Sequence, residues 1–154
     1  MRSMVVVMSF AALSWAWAAE NETTIRVAVP REVSAAAQAR MAGDAQAPMS
    51  ILILEGLQVG DGEGLTFKVL GPASPSSSTP PPVLAVTGVV GHRQQVPAVP
   101  VRKMKLVVPL NERANPLLAG KDEVTLTLQI QNDPGRAPIH VDRAYFSRPN
   151  NESQ

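Results

Sequence analysis

Val124, Leu126, Leu128 and Ile130 alternate with Glu123, Thr125, Thr127, Gln129 and Gln131. A helix would scatter those apolar residues around its axis, whereas an extended chain puts all of them on one face. The segment is therefore predicted to be a half-buried strand. The same period of two returns in Ile25, Val27 and Val29, in Leu65, Phe67 and Val69, and in Met104, Leu106 and Val108. Apolar runs at 51–59 and 83–90 and a closing segment at 139–146 complete the series. Seven predicted strands without a strand–helix–strand rhythm set the expected fold class. It is all-β: an antiparallel β-sandwich of about seven strands, jelly-roll-like or an open barrel.

The connections are readable from glycine, proline and serine. Gly60-Asp61-Gly62-Glu63-Gly64 separates the strands at 51–59 and 65–69 and predicts a β-hairpin, since its glycines accept positive φ. Asp133-Pro134-Gly135 has the central pair preferred by a type II turn. Gly88 within VLAVTGVV marks a candidate bulge. The low-complexity segment at 71–82, GPASPSSSTPPP, favours extended polyproline geometry and reads as an exposed loop rather than a domain boundary. The alanine-rich stretch at 31–47 has no apolar stripe, so a short helix near 33–41 and a flexible excursion both remain open. Residues 92–100 read as a proline-punctuated loop, and residues 111–120 as a loop holding one helical turn.

Arg2, a largely apolar run over 4–13, and Ala16-Trp17-Ala18 ahead of Glu20 have the layout of a cleaved secretory leader. The expected division is a signal peptide at 1–18 and one domain at 19–154. No run reaches the roughly 20 apolar residues of a membrane span, so the mature product is expected to be soluble and secreted or otherwise extracytoplasmic. Loss of Arg2 leaves 13 basic residues against 13 acidic ones. That balance argues against nucleic acid as a partner, and Arg102, Lys103 and Lys105 read as a solvated strand face. The chain contains no cysteine, which excludes disulfides, thiol catalysis and thiolate metal sites. A hydrophobic core must hold the domain.

Candidate chemistry is sparse. His92 lies beside Arg93, a cation that disfavours a bound metal. His140 and Asp142 share a strand face and form either a hydrogen-bonded pair or half of a metal site, with no third ligand visible. Asp61 and Glu63 supply fewer oxygens than calcium requires. No Gly-x-Ser-x-Gly elbow or phosphate-binding loop is present. No catalytic, cofactor-binding or metal residue is therefore assigned. Two sequons, at Asn21 and Asn151, matter only in a host that glycosylates secreted proteins.

TIRVAVPR at 24–31, ILILEGLQV at 51–59 and LTFKV at 65–69 follow one another in an order that resembles the C-terminal domain of plant-type polyphenol oxidases and tyrosinases. That domain is known for a Lys-Phe-Asp-Val strand preceded by a strand containing Glu-Gly. Glu55 and Gly56 match the Glu-Gly pair, and Phe67 and Val69 match the apolar letters, while Thr66 and Lys68 depart from the polar ones. Downstream, VTGVVGH at 86–92 is similar to the family's Phe-Ala-Gly strand and the loop after it. KMKLVVPLNERANPLLAGKDEVTLTLQI resembles the strand, loop and penultimate strand that follow.

The resemblance covers residues 24–146 and implies a domain that caps the mouth of a dinuclear copper site and keeps the enzyme latent. Phenol oxidation would belong to the partner. The dinuclear site needs more imidazoles than His92 and His140 provide, so copper is expected only in a partner enzyme or partner domain. The functional expectation is a secreted, non-catalytic domain that shields or assists a type-3 copper oxidase, a tyrosinase or catechol oxidase. Two alternatives are an independent adhesive or ligand-binding sandwich and a fragment of a complete polyphenol oxidase gene product.

Overall fold

The computed structural model describes residues 22–58, 65–89, 103–131 and 139–148. The leader at 1–18, the glycine link with Asp61 and Glu63, His92, the turn at 133–135 and the sequon asparagines Asn21 and Asn151 lie outside the described residues. Seven strands are present: β1 (Glu22–Ala28), β2 (Ile51–Gln58), β3 (Leu65–Leu70), β4 (Val83–Val89), β5 (Lys103–Pro109), β6 (Glu123–Ile130) and β7 (Arg143–Phe146). They form two antiparallel sheets, a four-stranded one ordered β1-β6-β3-β4 and a three-stranded one ordered β5-β2-β7. The all-β sandwich expected from the alternation is the observed architecture.

The period-2 residues meet between the layers. Val27 pairs with Val124 and Ile25 with Leu126, so β1 and β6 present their apolar sides together. Phe67, Val69, Leu84, Leu126 and Leu128 from the larger sheet join Leu52, Leu54, Leu57, Val108 and Phe146 from the smaller one in a single core. Helix α1 (Arg31–Met41) adds Val33 and Ala37, and a 3-10 turn (Glu112–Ala114) running into α2 (Asn115–Leu118) adds Ala114 and Leu118.

Segment 31–41, left open by its composition, is helical. Pro30 sits at its N-cap, alanine has the highest helix propensity, and Glu32 and Arg40 complement the dipole at the two ends. It stops where Gly43 takes φ +95° and the Asp44 N–H donates to the Ala39 carbonyl.

Three sequence expectations need correction. The strands at 51–59 and 65–69 are not a hairpin. β2 is already bonded on both sides, to β5 and β7, and β3 to β4 and β6, so neither has a free side for the other. The chain changes layer between Gln58 and Leu65. The hairpin is instead β3–β4, and the Ser/Pro segment is its loop, closed where the Gly71 N–H donates to the Pro82 carbonyl at 2.9 Å. Gly88 is not a bulge: it pairs in register with Thr66, and the irregularities fall at Glu55/Leu57 and at Val69/Leu70. The last strand is four residues long, shorter than 139–146, with His140 making only an isolated bridge to Gln58.

Among the described residues no helix is long and apolar enough to cross a membrane.

Candidate functional site

Chemically distinctive side chains gather on the outer face of β5-β2-β7. Leu52 and Leu54 of β2 point into the core, which turns Ile53 and Glu55 to the opposite face, where Ile53 is still buried. After Glu55 the strand carries an extra residue, Gly56, at φ +68°, the left-handed first position of a G1-type bulge. That insertion restores the inward phase, and Leu57 is buried like Leu54. A Cβ at Gly56 would run into the Asp142 carboxylate, so the bulge also makes room for that side chain.

Two linked clusters result. In the first, Glu55 lies opposite Lys105 on one side and Arg143 on the other. The Tyr145 hydroxyl donates to Glu55 Oε1 at 2.7 Å, and Lys105 Nζ lies 3.1 Å from the same oxygen. The Arg143 guanidinium stands over the Tyr145 ring, 4.9 Å from its centroid, and Lys105 Nζ is 5.9 Å from it. In the second, Lys103 Nζ donates to Asp142 Oδ2 at 2.7 Å, and His140 Nε2 is 3.1 Å from Oδ1. Val107, 53% exposed, shares the first cluster's face, two pairs along from Glu55 and Lys105.

The Tyr145 hydrogen bond and then Lys105 hold the Glu55 carboxyl below its usual range. Lys103 does the same for Asp142, opposed in part by desolvation and aided to a lesser degree by His140. Contacts with Tyr145 and Glu55 raise Lys105. Depressed carboxyls contribute stability above their unfolded values, 4.5 and 3.8, and that contribution is lost as pH falls through the lower folded values. Stability is thus expected to decline on acidification below about pH 5. Tyr145→Phe should flatten that decline, as measured by urea unfolding between pH 2 and 6; an unchanged profile would contradict the assigned hydrogen bond.

The arrangement is better suited to contact than to catalysis. Each carboxylate is held by a lysine and a second donor, so neither is poised as a general base. His140 and Asp142 form the hydrogen-bonded pair anticipated from their spacing, and Lys103 occupies the other carboxylate oxygen. Among the described residues no three His, Asp or Glu side chains group as a metal site would require.

The motif residues separate in space. Glu55 and Gly56 belong to the outer-face clusters, whereas Phe67 and Val69 are fully buried in the opposite layer. Lys103 and Lys105 are on an exposed strand face, as anticipated, but paired with carboxylates. Nothing in the sequence alone distinguishes Arg143 and Tyr145 as site residues. Their only signal there is an i, i+2 spacing, and their meaning depends on the register with β2.

No protein-family model and no curated protein sequence matches the chain. Among solved structures it resembles a recombinantly expressed latent aurone synthase, a polyphenol oxidase, with a TM-score of 0.53 and 14% identity. The likeness covers 83% of this chain and 24% of that one. The chain thus spans about a quarter of the length of that enzyme, and the likeness is one of fold.

Proposed function

We propose that this chain is a secreted, non-catalytic domain of the polyphenol oxidase C-terminal type, which docks on a type-3 copper oxidase and shields its active-site mouth or assists its maturation. The observation that carries the reading is the fold likeness to part of a latent polyphenol oxidase, over most of this chain and a minor share of that enzyme. The collinear order of Glu55-Gly56 and Phe67-x-Val69 supports it independently. We place the contact on the outer face of β5-β2-β7, where exposed Val107 lies near the Arg143–Tyr145 pair. Arginine and tyrosine are the residue types that most often dominate interfaces.

The purified chain is expected to bind a secreted tyrosinase-type enzyme and slow its oxidation of a diphenol, with Val107→Glu weakening both effects. Absence of binding and of any rate change across such oxidases from the same genome would sink the proposal. The same coverage also fits a second reading, a segment of a longer oxidase. A transcript joining Thr24 to an upstream histidine-rich segment would favour that reading.

A further inference from the structure

Among the described residues four strands form the lateral edges of the two sheets: β1, β4, β5 and β7. Proteins guard such edges with charge or proline, because unpaired N–H and C=O groups recruit other strands. β1 carries Glu22 and Arg26, β5 carries Lys103, Lys105 and Pro109, and β7 is four residues long and carries Arg143. β4, Val83-Leu84-Ala85-Val86-Thr87-Gly88-Val89, has no charge and no proline.

Register identifies which of its groups are open. The Gln131 N–H donates to the Thr66 carbonyl, so Thr66 turns its backbone groups toward β6, away from β4. Alternation then makes Thr66–Gly88 and Lys68–Val86 the non-bonded pairs of the β3–β4 ladder, and Val86 and Gly88 direct their N–H and C=O groups to the side on which no strand pairs among the described residues. The start of the edge is closed. Asn111 donates through its backbone N–H to the Leu84 carbonyl and through Nδ2 to the Val83 carbonyl, each at 2.9 Å.

We infer that the β4 edge pairs with the β4 edge of a second copy, antiparallel about a two-fold axis at Thr87. In this register Val86 faces the partner copy's Gly88 in a bonded pair, and symmetry repeats it, giving four backbone hydrogen bonds. Val86, 60% exposed, then lies over an exposed glycine whose Cβ position is in ordinary contact with Thr66 Oγ1 and the Leu65 carbonyl but is not blocked. Thr87 meets its own copy, a favourable cross-strand pair. Charge does not oppose the contact. Lys68 neighbours Val86, yet the two Lys68 residues stand three strand spacings apart, about 14 Å, beyond the physiological screening length of about 8 Å. Asn111 limits the pairing to this short stretch, and the two-fold closes it as a dimer rather than a fibre. So small a contact makes the association weak. The inference stands apart from the proposed function, since it needs no oxidase.

Sedimentation velocity from about 10 µM to about 1 mM protein spans the range a small interface would occupy. The wild-type chain is expected to pass from monomer to dimer across it, with the Val86 and Gly88 amides exchanging more slowly with solvent at the higher concentration. Val86→Lys should remain monomeric with an unchanged circular dichroism spectrum and a Tm lowered only slightly by Lys68 opposite it. Val86→Pro, which removes an outward donor but no ladder bond, should act likewise. Four outcomes overturn the inference: a wild-type monomer throughout, a dimer that survives Val86→Lys, amides indifferent to concentration, or growth beyond the dimer.

Discussion

Replacing Phe67 with alanine is expected to lower the unfolding free energy by about 3–5 kcal/mol. Phe67 is the largest fully buried side chain and sits on β3, flanked by Thr87 of β4 and Ile130 of β6. Truncation removes its transfer free energy and leaves a cavity that three bonded strands cannot close. A domain of this size is stable by only about 5–15 kcal/mol in total, and without cysteine no disulfide offsets the loss. The urea midpoint at 25 °C should collapse, whereas Val86→Ala on the outside should move it by less than about 0.5 kcal/mol equivalent. Equal shifts for the two variants would refute the interior placement of Phe67.

Gly56→Ala is expected to cost about 2–4 kcal/mol, through two causes that can be separated. The left-handed φ of +68° penalises any Cβ, and the new methyl would collide with the Asp142 carboxylate. Gly43 supplies the control: its φ is also positive, at +95°, but a Cβ there meets nothing. Gly43→Ala should therefore show the backbone cost alone, about 1–2 kcal/mol. Adding Asp142→Ala to Gly56→Ala should recover part of the loss, as a double-mutant cycle for touching residues requires. If Gly56→Ala and Gly43→Ala cost the same, Asp142 does not occupy the space beside Gly56.

Much of the fold was legible because alternation is local. The inward set of β6, Val124 to Ile130, can be read without knowing any neighbour, and so can Leu65, Phe67 and Val69. The hairpin expectation failed for the complementary reason. A glycine-rich link of five residues allows the chain to reverse within one sheet or to step to the facing one. That choice is made by the partners of β2 and β3, most of which lie far along the chain: β2 takes 103–109 and 143–146, and β3 takes 127–130 besides its neighbour at 83–89. The bulge is hidden for a related reason: Gly88 and Gly56 look alike as single letters, and only the register of β2 against β5, with φ +68° at Gly56, distinguishes them.

The candidate site was less legible. His140 and Asp142 could be paired from their spacing of two, a local property of an extended chain. Tyr145 binding Glu55 across 90 positions could not. Nor could the splitting of Glu55-Gly56 and Phe67-x-Val69 between an outer face and the core, although they look like one motif in the sequence.

The sequence by itself determined that this chain is built of strands with one apolar side each, because side-chain period depends only on neighbouring residues. Only the tertiary structure decided which strands share a sheet, which strand lies at an edge among the described residues and which charges meet on the outer face. Those outcomes depend on register between distant segments, and hydrogen-bonded strand pairing leaves no trace in either strand read alone.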